Sequence, residues 1–376
     1  MKKDSKKNEP HMLTMAPLET WARLLWENGG VSRPYMRKVA RILVVSLMTL
    51  PLRLAEKVKY GKALERTRIE KPPVFIVGFA RSGTTHLHNL MTTNPEFGAV
   101  SNFQAYMPTV FLSGGGFLKK ELSKKMEPTR PMDNVRLSAD TPQEEEVAIA
   151  NSCHVSFMHH FSFPQKLREY FEKYAMMDGI SDEDLKTWDG VFTEIAKKAT
   201  FDNGGLRLVM KSPTNTGRIS HLLRLFPDAK FIHIVRNPYE VFQSMMHLYR
   251  KMIPLYQLQS VDIEAMADDV FHIYKAAMGR YMEERSLIPE GNFTEVRFEN
   301  LEKEPLAELE RVYSDLSLPG WETAMPHARE YLGSISGYKK NELSMKRSDT
   351  ERVDREFRFT LDEWGYEAPD GLKVLP

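Results

Sequence analysis

Short apolar runs alternate with amphipathic helical patterns along most of the chain. The runs at 73–79, 206–211, 230–235 and 293–298 are rich in β-forming residues, and each leads into a segment with helical spacing. Runs of this kind are typical of parallel strands that are buried on both faces. The pattern therefore predicts an α/β fold of three layers, in which a central, mostly parallel sheet is flanked by helices.

A long, mostly helical segment separates the first two of these runs. Residues 100–200 are rich in Met, Phe, Tyr and His, which favours an apolar pocket for a small hydrophobic ligand, although the same side chains could form core. The side chains in question are Phe103, Tyr106, Phe111, Phe157, Met158, Phe161 and Phe163. We expect a domain over residues 71–376 that contains this insertion, a helical extension at 16–70 and a disordered N-terminus at 1–15.

One dense apolar run, Ile42 to Leu52, lies inside the extension and has basic residues on both sides. Its eleven residues are too few to cross a bilayer as a helix, which takes roughly 20. Two interpretations follow. We prefer a helix packed on the domain; the alternative is an interfacial helix that brings residues 35–60 into peripheral contact with a membrane.

Charge and cysteine content narrow the class of protein. Lys and Arg number 52 against 51 Asp and Glu, a net charge of +1, so nucleic acid is not expected as a partner and any anion site must be local. The single cysteine, Cys153, cannot form an intrachain disulfide, and no Cys/His spacing predicts a metal site. The basic N-terminus lacks the apolar region of a secretory signal, so a reducing, cytoplasmic setting fits best.

The clearest chemical signal follows the first predicted strand. Gly78–Thr85 reads GFARSGTT, which has the glycine spacing of a phosphate-binding loop that opens a helix. Backbone N–H groups and the hydroxyls of Ser82, Thr84 and Thr85 would bind phosphate oxygens there. A nucleoside triphosphatase needs a lysine where this chain has Thr84, so the nearest cation is Arg81 and a kinase-like phosphotransferase is disfavoured.

A second anion-binding pattern follows the strand predicted at 230–235. Arg236 ends this strand, Asn237 and Pro238 start the next helix, and Ser244 lies about two turns into it. A guanidinium and a hydroxyl donor in this arrangement suit a second phosphate. The two motifs in this order resemble those of the sulfotransferases that use 3′-phosphoadenosine 5′-phosphosulfate (PAPS), in particular the branch with an R-S-G-T-T loop.

The resemblance implies a P-loop-like fold, PAPS as co-substrate without a metal, and sulfuryl transfer to a hydroxyl or amine of a small, hydrophobic acceptor. It implies a donor site made of Arg81, Ser82, Gly83, Thr84, Thr85, Arg236, Ser244, Phe298 and Lys339. In relatives the aromatic residue at the position of Phe298 lies near the adenine, although Phe298 could equally be a core residue. A basic C-terminal loop closes over the 3′-phosphate in relatives, and Lys339 lies in the comparable turn here. A non-catalytic nucleotide-binding protein is the other alternative.

Sulfuryl transfer requires cations where negative charge develops on the departing 5′-phosphate. The resemblance assigns this role to Arg81, in place of a lysine used by many relatives, and to Lys211, which ends the second long strand. Many relatives carry a catalytic histidine two residues after this lysine. Here that residue is Pro213, which cannot accept a proton, so the base must lie elsewhere.

Three adjacent glutamates, Glu144, Glu145 and Glu146, are the main candidates for the base. Burial and neighbouring like charges raise a carboxylate pKa toward the range that suits a general base. Thr141 and Glu144 resemble a capping box at a helix start, so Glu144 is expected as the cap and Glu145 is predicted as the base, ahead of Glu146. The rival bases are His154, His159 and His160.

Overall fold

A five-stranded parallel sheet forms the centre of the computed structural model, which describes residues 11–133, 135–335 and 344–375. Its strands are β1 (Val74–Val77), β2 (Phe97–Gly98), β3 (Arg207–Lys211), β4 (Lys230–Val235) and β5 (Phe293–Arg297). The strand order is β2-β3-β1-β4-β5, with every neighbouring pair parallel. This confirms the predicted α/β class, and only the two-residue strand β2 was not predicted.

Both faces of the sheet are buried, as the continuous apolar runs predicted. Val74 and Ile76 of β1 pack into one hydrophobic cluster, whereas Phe75 and Val77 pack into another on the opposite face. Successive side chains of a strand point to opposite faces, so four apolar residues in a row supply both cores. Helices cover each face and complete the three layers.

Three helices precede the sheet: α1 (Leu18–Glu27), α2 (Met36–Met48) and α3 (Leu50–Arg66). The apolar run 42–52 is divided between α2 and α3, which meet at Thr49. Pro51 lies in the first turn of α3, where its missing N–H costs no helical hydrogen bond, whereas within a continuous helix it would break one. No described helix is long and apolar enough to cross a bilayer.

The N-terminal boundary differs from the prediction. Residues 11–15 were expected to be disordered, but they form turns in which Met12 and Leu13 are buried in the main core. The indole N–H of Trp21 donates to the Leu13 carbonyl at 3.2 Å, and His11 Nε2 lies 2.8 Å from the carbonyl oxygen of Tyr256. These contacts fix the segment to α1 and to the sheet domain.

The insertion between β1 and β3 is mostly helical, in agreement with the prediction. After α4 (Thr84–Met91) and β2 it contains α5 (Asn102–Tyr106), α6 (Phe111–Lys125), α7 (Glu145–Ala150), α8 (Leu167–Tyr170) and α9 (Asp182–Asp202). Helix α6 is interrupted at Gly115, whose φ of 42° is left-handed and therefore favours glycine. Helix α7 begins at the acidic run and so brings it to the sheet.

The remaining helices follow β3, β4 and β5. They are α10 (Ile219–Leu225), α11 (Pro238–Tyr256), α12 (Ala267–Glu284), α13 (Phe298–Lys303), α14 (Pro305–Asp315), α15 (Trp321–Ser334), α16 (Arg347–Glu356) and α17 (Arg358–Trp364). Two short strands, β6 (Ser344–Lys346) and β7 (Lys373–Leu375), form a separate parallel pair. Strands β3, β1 and β4 are adjacent in the sheet, so the loops that leave their carboxyl ends share one edge.

Candidate active site

The loop after β1 lies very close to its neighbours, and two glycines make this approach feasible. A Cβ on Gly78 would lie 2.4 Å from the carbonyl oxygen of Ile234 in β4. A Cβ on Gly83, which has a φ of 96° at the start of α4, would lie 2.3 Å from the ring of Phe298. The Gly78 N–H also donates to Thr216 Oγ1 at 2.8 Å, which ties the loop to the turn after β3.

Arg81 joins the two predicted anion-binding loops. Its backbone is left-handed, with a φ of 75°, a conformation that costs a non-glycine residue roughly 1–2 kcal/mol and is often found at functional sites. Its Nε donates to Ser244 Oγ in α11 at 2.9 Å, and its carbonyl oxygen accepts from Arg236 Nη1 at 3.2 Å. The two predicted loops therefore meet at one edge of the sheet, and the surface that they border is the candidate cleft.

Arg236 is held on two sides. Its Nε donates to Glu240 at 2.9 Å, one turn into α11, and its guanidinium lies 4.4 Å from the centre of the Phe298 ring. Phe298 is the first residue of α13 and is half-buried, with its ring between Arg236 and Gly83. The predicted aromatic residue thus lies where the two loops meet, and its contact with an adenine remains a prediction.

Lys211 is directed from the end of β3 toward the phosphate loop. The side chain is 2% exposed, and its Nζ donates to Glu144 Oε1 at 2.6 Å and to Thr85 Oγ1 at 3.4 Å. Burial lowers the pKa of Lys211, and the neighbouring Glu144 carboxylate opposes that effect. The Lys211 ammonium group therefore lies beside the Thr85 hydroxyl of the loop.

The prediction that Glu144 caps the helix is wrong. Glu144 is the residue before α7, but its side chain makes no capping hydrogen bond. Instead the carboxylate pairs with Lys211, because a buried ammonium group needs a counter-charge. Thr141 does not cap α7 either, since its Oγ1 accepts from Asn102 Nδ2 at 2.7 Å and donates to the Ser138 carbonyl.

Glu145 and Glu146 point to different partners. Glu145 is 1% exposed and accepts from the Lys211 backbone N–H at 3.0 Å and from Asn215 Nδ2 at 2.5 Å. Burial raises the pKa of Glu145 to about 7. Glu146 is fully buried and pairs with Arg218 at 2.6 Å; burial alone would raise its pKa, but the guanidinium outweighs this and lowers it. Glu146 is therefore committed to a structural ion pair.

Two charged residues of the site were missed by sequence reasoning. Asp133 accepts from Arg81 Nη1 at 2.8 Å, and Arg130 Nη1 donates to Thr85 Oγ1 at 3.1 Å. Burial would raise the pKa of Asp133, but Arg130 and Arg81 outweigh it and hold the pKa below its usual value. Both residues come from the segment between α6 and α7, about which the pattern along the chain gives no signal.

The rival histidines are engaged in their own part of the insertion. His154 Nε2 lies 2.9 Å from Asp184 Oδ1, His159 Nε2 lies 3.0 Å from the Cys153 carbonyl oxygen, and the ring of His160 stacks on Phe157. Burial lowers the pKa of both His159 and His160 to about 4. These contacts favour a packing role for the histidines over proton transfer.

An apolar cavity of about 40 Å³ lies between the loop after β1 and the turn after β3. Phe79, Ala80, Phe157, Thr214, Met245 and Tyr249 are among its lining residues. Phe157 is thus the one insertion aromatic among the predicted set that lines this cavity in the described structure. Phe103 and Phe111 instead form a separate cluster with Leu122, and Phe161 and Phe163 belong to the main core.

Lys339, the predicted closing residue of the donor site, lies outside the described residues. Of the other predicted donor-site residues, Thr84 and Thr85 begin α4, and Ser82 and Thr84 are buried beneath the loop. Their hydroxyls and the backbone N–H groups of the loop surround the N-terminal end of α4, which favours anions.

The loop after β1, joined through Arg81 to Arg236 and Ser244 after β4, has the arrangement expected of a phosphate-binding loop at the edge of a parallel sheet. The sequence model of the sulfotransferase family matches residues 72–323. The chain belongs to this family.

Individual relatives agree with this assignment. The chain is 30% identical over 359 residues to the omega-hydroxy-beta-dihydromenaquinone-9 sulfotransferases Stf3 of Mycobacterium tuberculosis and Mycobacterium bovis, which covers 95% of this chain and 92% of each relative. Among solved structures it is similar to sulfotransferase STF9 from Mycobacterium avium, with a TM-score of 0.69 and 15% identity over 96% of this chain and 98% of that chain. Sulfotransferase STF1 from Mycobacterium tuberculosis gives a TM-score of 0.68 with 16% identity over 90% of each chain. These structural likenesses show the fold.

Proposed function

We propose that this sulfotransferase moves a sulfuryl group from PAPS to a hydroxyl group of a small hydrophobic molecule. The observation that carries the proposal is the direct contact between the two loops, through Arg81, Ser244 and Arg236. A donor with a 3′-phosphate and a 5′-phosphosulfate has two anionic groups that need two such loops. A nucleoside triphosphate would need the lysine that Thr84 replaces.

The donor would lie across the cleft with its two ends on different loops. The 5′-phosphosulfate suits the N–H groups and hydroxyls between Ser82 and Thr85, beside Arg81. The 3′-phosphate suits Arg236 and Ser244, and the adenine suits the ring of Phe298. A role for Lys339 in closing the 3′-phosphate site is part of the same proposal.

The reaction would be an in-line displacement at sulfur. The acceptor oxygen forms a bond to sulfur while the bond from sulfur to the bridging oxygen of the 5′-phosphate breaks, so negative charge builds on that oxygen. Arg81 and the loop N–H groups would stabilise this charge, and Lys211 would neutralise charge on the sulfuryl oxygens. The acceptor proton would pass to a carboxylate of the acidic run.

Glu144 is the carboxylate that the geometry favours as the base. It faces the Lys211 ammonium and the phosphate loop, whereas both oxygens of Glu145 accept hydrogen bonds from the protein. Glu145, the choice from sequence, has the pKa that suits a base, so it remains the rival. In our proposal Glu144 accepts the proton and Glu145 positions the end of β3.

The acceptor would be a hydrophobic alcohol. The relatives named above act, by name, on an omega-hydroxylated dihydromenaquinone, a hydroxyl on a long apolar molecule. In this chain the apolar cavity begins beside Ala80 and Thr214, next to the loop that would hold the sulfuryl group. Phe157 and Met245 would contact the acceptor on that side, and because the cavity measures only about 40 Å³, most of the apolar part of the acceptor would lie outside it.

A direct assay tests this proposal. Purified protein is incubated with labelled PAPS and with hydroxylated menaquinones, sterols, phenols, sugars or amines, and sulfated products are identified by mass spectrometry. We expect transfer to a hydrophobic alcohol and little to sugars. Binding of ATP with Mg²⁺ in preference to PAPS, with phosphorylated product, would overturn the proposal in favour of a phosphotransferase.

A further inference from the structure

The joint between α2 and α3 exposes an apolar surface, which we call the elbow surface. It consists of the side chains of Val44, Leu47, Met48, Leu50, Leu52, Leu54 and Val58. Met48 is 73% exposed and Val58 is 85% exposed. Exposed apolar residues scattered singly are common on proteins, but seven within residues 44–58 are a concentration that is typical of an interaction site.

The elbow surface is not the result of loosely attached helices. On their other sides the two helices bury Val39, Ile42 and the carboxylate of Glu56, which accepts from Lys198 Nζ at 2.7 Å. Arg53 Nη2 donates to the Met15 carbonyl at 3.1 Å. Because these contacts already hold both helices on the domain, their exposed side chains are accessible to a partner.

The exposed charged side chains of α2, and of α3 as far as Lys62, are all basic, and the first exposed carboxylate, Glu65, lies in the last turn of α3. Exposed basic side chains flank it on both helices: Arg33, Arg37, Arg41, Lys57, Lys59 and Lys62. None of them forms an ion pair with another described residue. Between residues 31 and 62 the only acidic residue is Glu56, which is buried. Apolar side chains bordered by uncompensated cations match the acyl boundary and the headgroups of an anionic bilayer.

We propose that the elbow surface binds the face of an anionic lipid bilayer, with its apolar side chains in the headgroup boundary and the flanking cations on lipid phosphates. A second copy of this chain is a poorer occupant, because two such surfaces would bring like charges together. Both interpretations of the run 42–52 then apply to different sides of the two helices. Their inner sides pack on the domain, and in our proposal their outer sides contact a membrane.

The elbow is also connected to the active site. Helix α3 packs on α6, and Glu56 of α3 accepts from the backbone N–H of Ser113 in α6 at 2.9 Å. The segment that follows α6 carries Arg130 and Asp133 to the phosphate loop. In a protein seated on a bilayer through the elbow, these contacts would link the bound surface to the cleft in which a hydrophobic alcohol would react. This last step rests on the proposed function; the binding itself does not.

Vesicle sedimentation with the full chain tests the proposal. We expect the protein to sediment with vesicles of phosphatidylcholine plus phosphatidylglycerol, less with phosphatidylcholine alone, and less as salt rises. The triple variant Met48→Ser, Leu54→Ser, Val58→Ser should lower the vesicle affinity by about tenfold or more. The control Leu287→Ser changes a leucine on another element whose exposure, 54%, is close to the 57% of Leu54, and this variant should bind like the natural protein.

A second pair of variants tests the charges. Arg37→Glu with Arg41→Glu should weaken binding to anionic vesicles, whereas Lys186→Glu with Lys303→Glu makes the same charge change elsewhere and should weaken it much less. Unchanged binding of the triple serine variant, or absence of vesicle binding by the natural protein, overturns the proposal. A mass that halves in solution on serine substitution would instead assign the surface to a second copy. The turnover of the same variants is measured in detergent micelles, where no bilayer is present. A variant that loses vesicle binding but keeps this turnover separates the membrane proposal from the proposed reaction.

Discussion

The cations of the active-site cleft form ion pairs with carboxylates of the protein, whereas those of the elbow surface form none with the described residues. Arg81 pairs with Asp133, Lys211 with Glu144 and Arg236 with Glu240. Arg37 and Lys57 form no ion pair within the described residues. The cleft cations are also largely buried, whereas those of the elbow are exposed.

The difference follows from the cost of removing charge from water. A buried cation without a counter-charge costs several kcal/mol, so the fold must supply a carboxylate while the site holds no anion. An exposed cation is solvated and needs no partner. In our proposal an anionic donor would therefore replace an internal carboxylate as the counter-charge of the cleft cations, whereas the solvated cations of the elbow surface would meet lipid headgroups from outside.

The largest effect is expected at Glu144. Glu144→Gln removes the carboxylate beside Lys211, so kcat should fall by about 10²–10⁴-fold, the usual contribution of a general base. Steady-state sulfation at saturating PAPS measures this. Glu121→Gln is the control, since Glu121 also pairs with a lysine, Lys124, but on the surface of α6. A loss below about tenfold would exclude Glu144 as the base.

The pH profile separates Glu145 from Glu144. Because burial raises the pKa of Glu145 to about 7, its carboxylate is charged above that pH and neutral below it. If the charged form positions the Lys211 backbone, kcat of the natural protein should decline as pH falls below about 7. Glu145→Gln should have a lowered kcat without this decline. A loss larger in Glu145→Gln than in Glu144→Gln would instead restore Glu145 as the base.

A structural ion pair should behave differently from those of the cleft. Arg218→Met leaves Glu146 buried without a counter-charge, so the free energy of unfolding should fall by about 3–5 kcal/mol. Urea denaturation followed by circular dichroism measures it. The double variant Arg218→Met, Glu146→Gln should recover part of the loss, because no unpaired charge then remains. Similar stability of the single variant and the natural protein would contradict the structural role.

Arg236 should be required for donor binding. Arg236→Ala is expected to weaken the binding of 3′-phosphoadenosine 5′-phosphate about 100-fold, the effect of losing charge-assisted hydrogen bonds to a phosphate. Isothermal titration calorimetry measures it. Arg297→Ala is the matched control, because Arg297 pairs in register with Val235 but stacks on Tyr366. Equal losses in the two variants would show that the cleft is not the phosphate site.

The smallest effect is expected at Asp133. Asp133→Asn removes the carboxylate that competes with the donor for Arg81, so affinity for the same nucleotide should rise roughly fivefold. Asp140→Asn, which removes an exposed partner of Lys119, should leave the affinity unchanged. Weaker binding by Asp133→Asn would mean that Asp133 holds Arg81 in place for the donor and does not compete with it.

The sheet and the loops at its edge could be predicted from the sequence because local patterns determine them. Apolar runs located β1, β3, β4 and β5, and the glycine spacing located the loop of Arg81. The hydrogen bond between Arg81 and Ser244 was not predicted, because the two residues are 163 positions apart, although the family resemblance assigned both to one donor site. The placement of both loops followed from the rule that ligands lie at the carboxyl ends of parallel strands.

Other features depend on tertiary contacts and could not be predicted. Thr141 and Glu144 have the spacing of a capping box, yet a buried lysine from β3 attracts the carboxylate more strongly than the helix end does. Arg130 and Asp133 reach the loop from a segment without periodicity. Pro51 indicates that the run 42–52 is divided into two helices. The prediction treated the run as one helix because nearly all of its residues are apolar.

The hydrogen bond from Arg236 to the carbonyl oxygen of Arg81 makes the two ends of the cleft mechanically dependent. A phosphate bound to Arg236, as we propose, would compete for the guanidinium that now donates to the carbonyl oxygen of the left-handed residue Arg81. If occupancy at one end changes the affinity at the other, the reverse effect must have the same factor, because the coupling free energy is reciprocal. With such coupling, the binding free energies of two nucleotide fragments would not add up to that of the whole nucleotide. An inhibitor that fills one end of the cleft would likewise change the affinity of the other end.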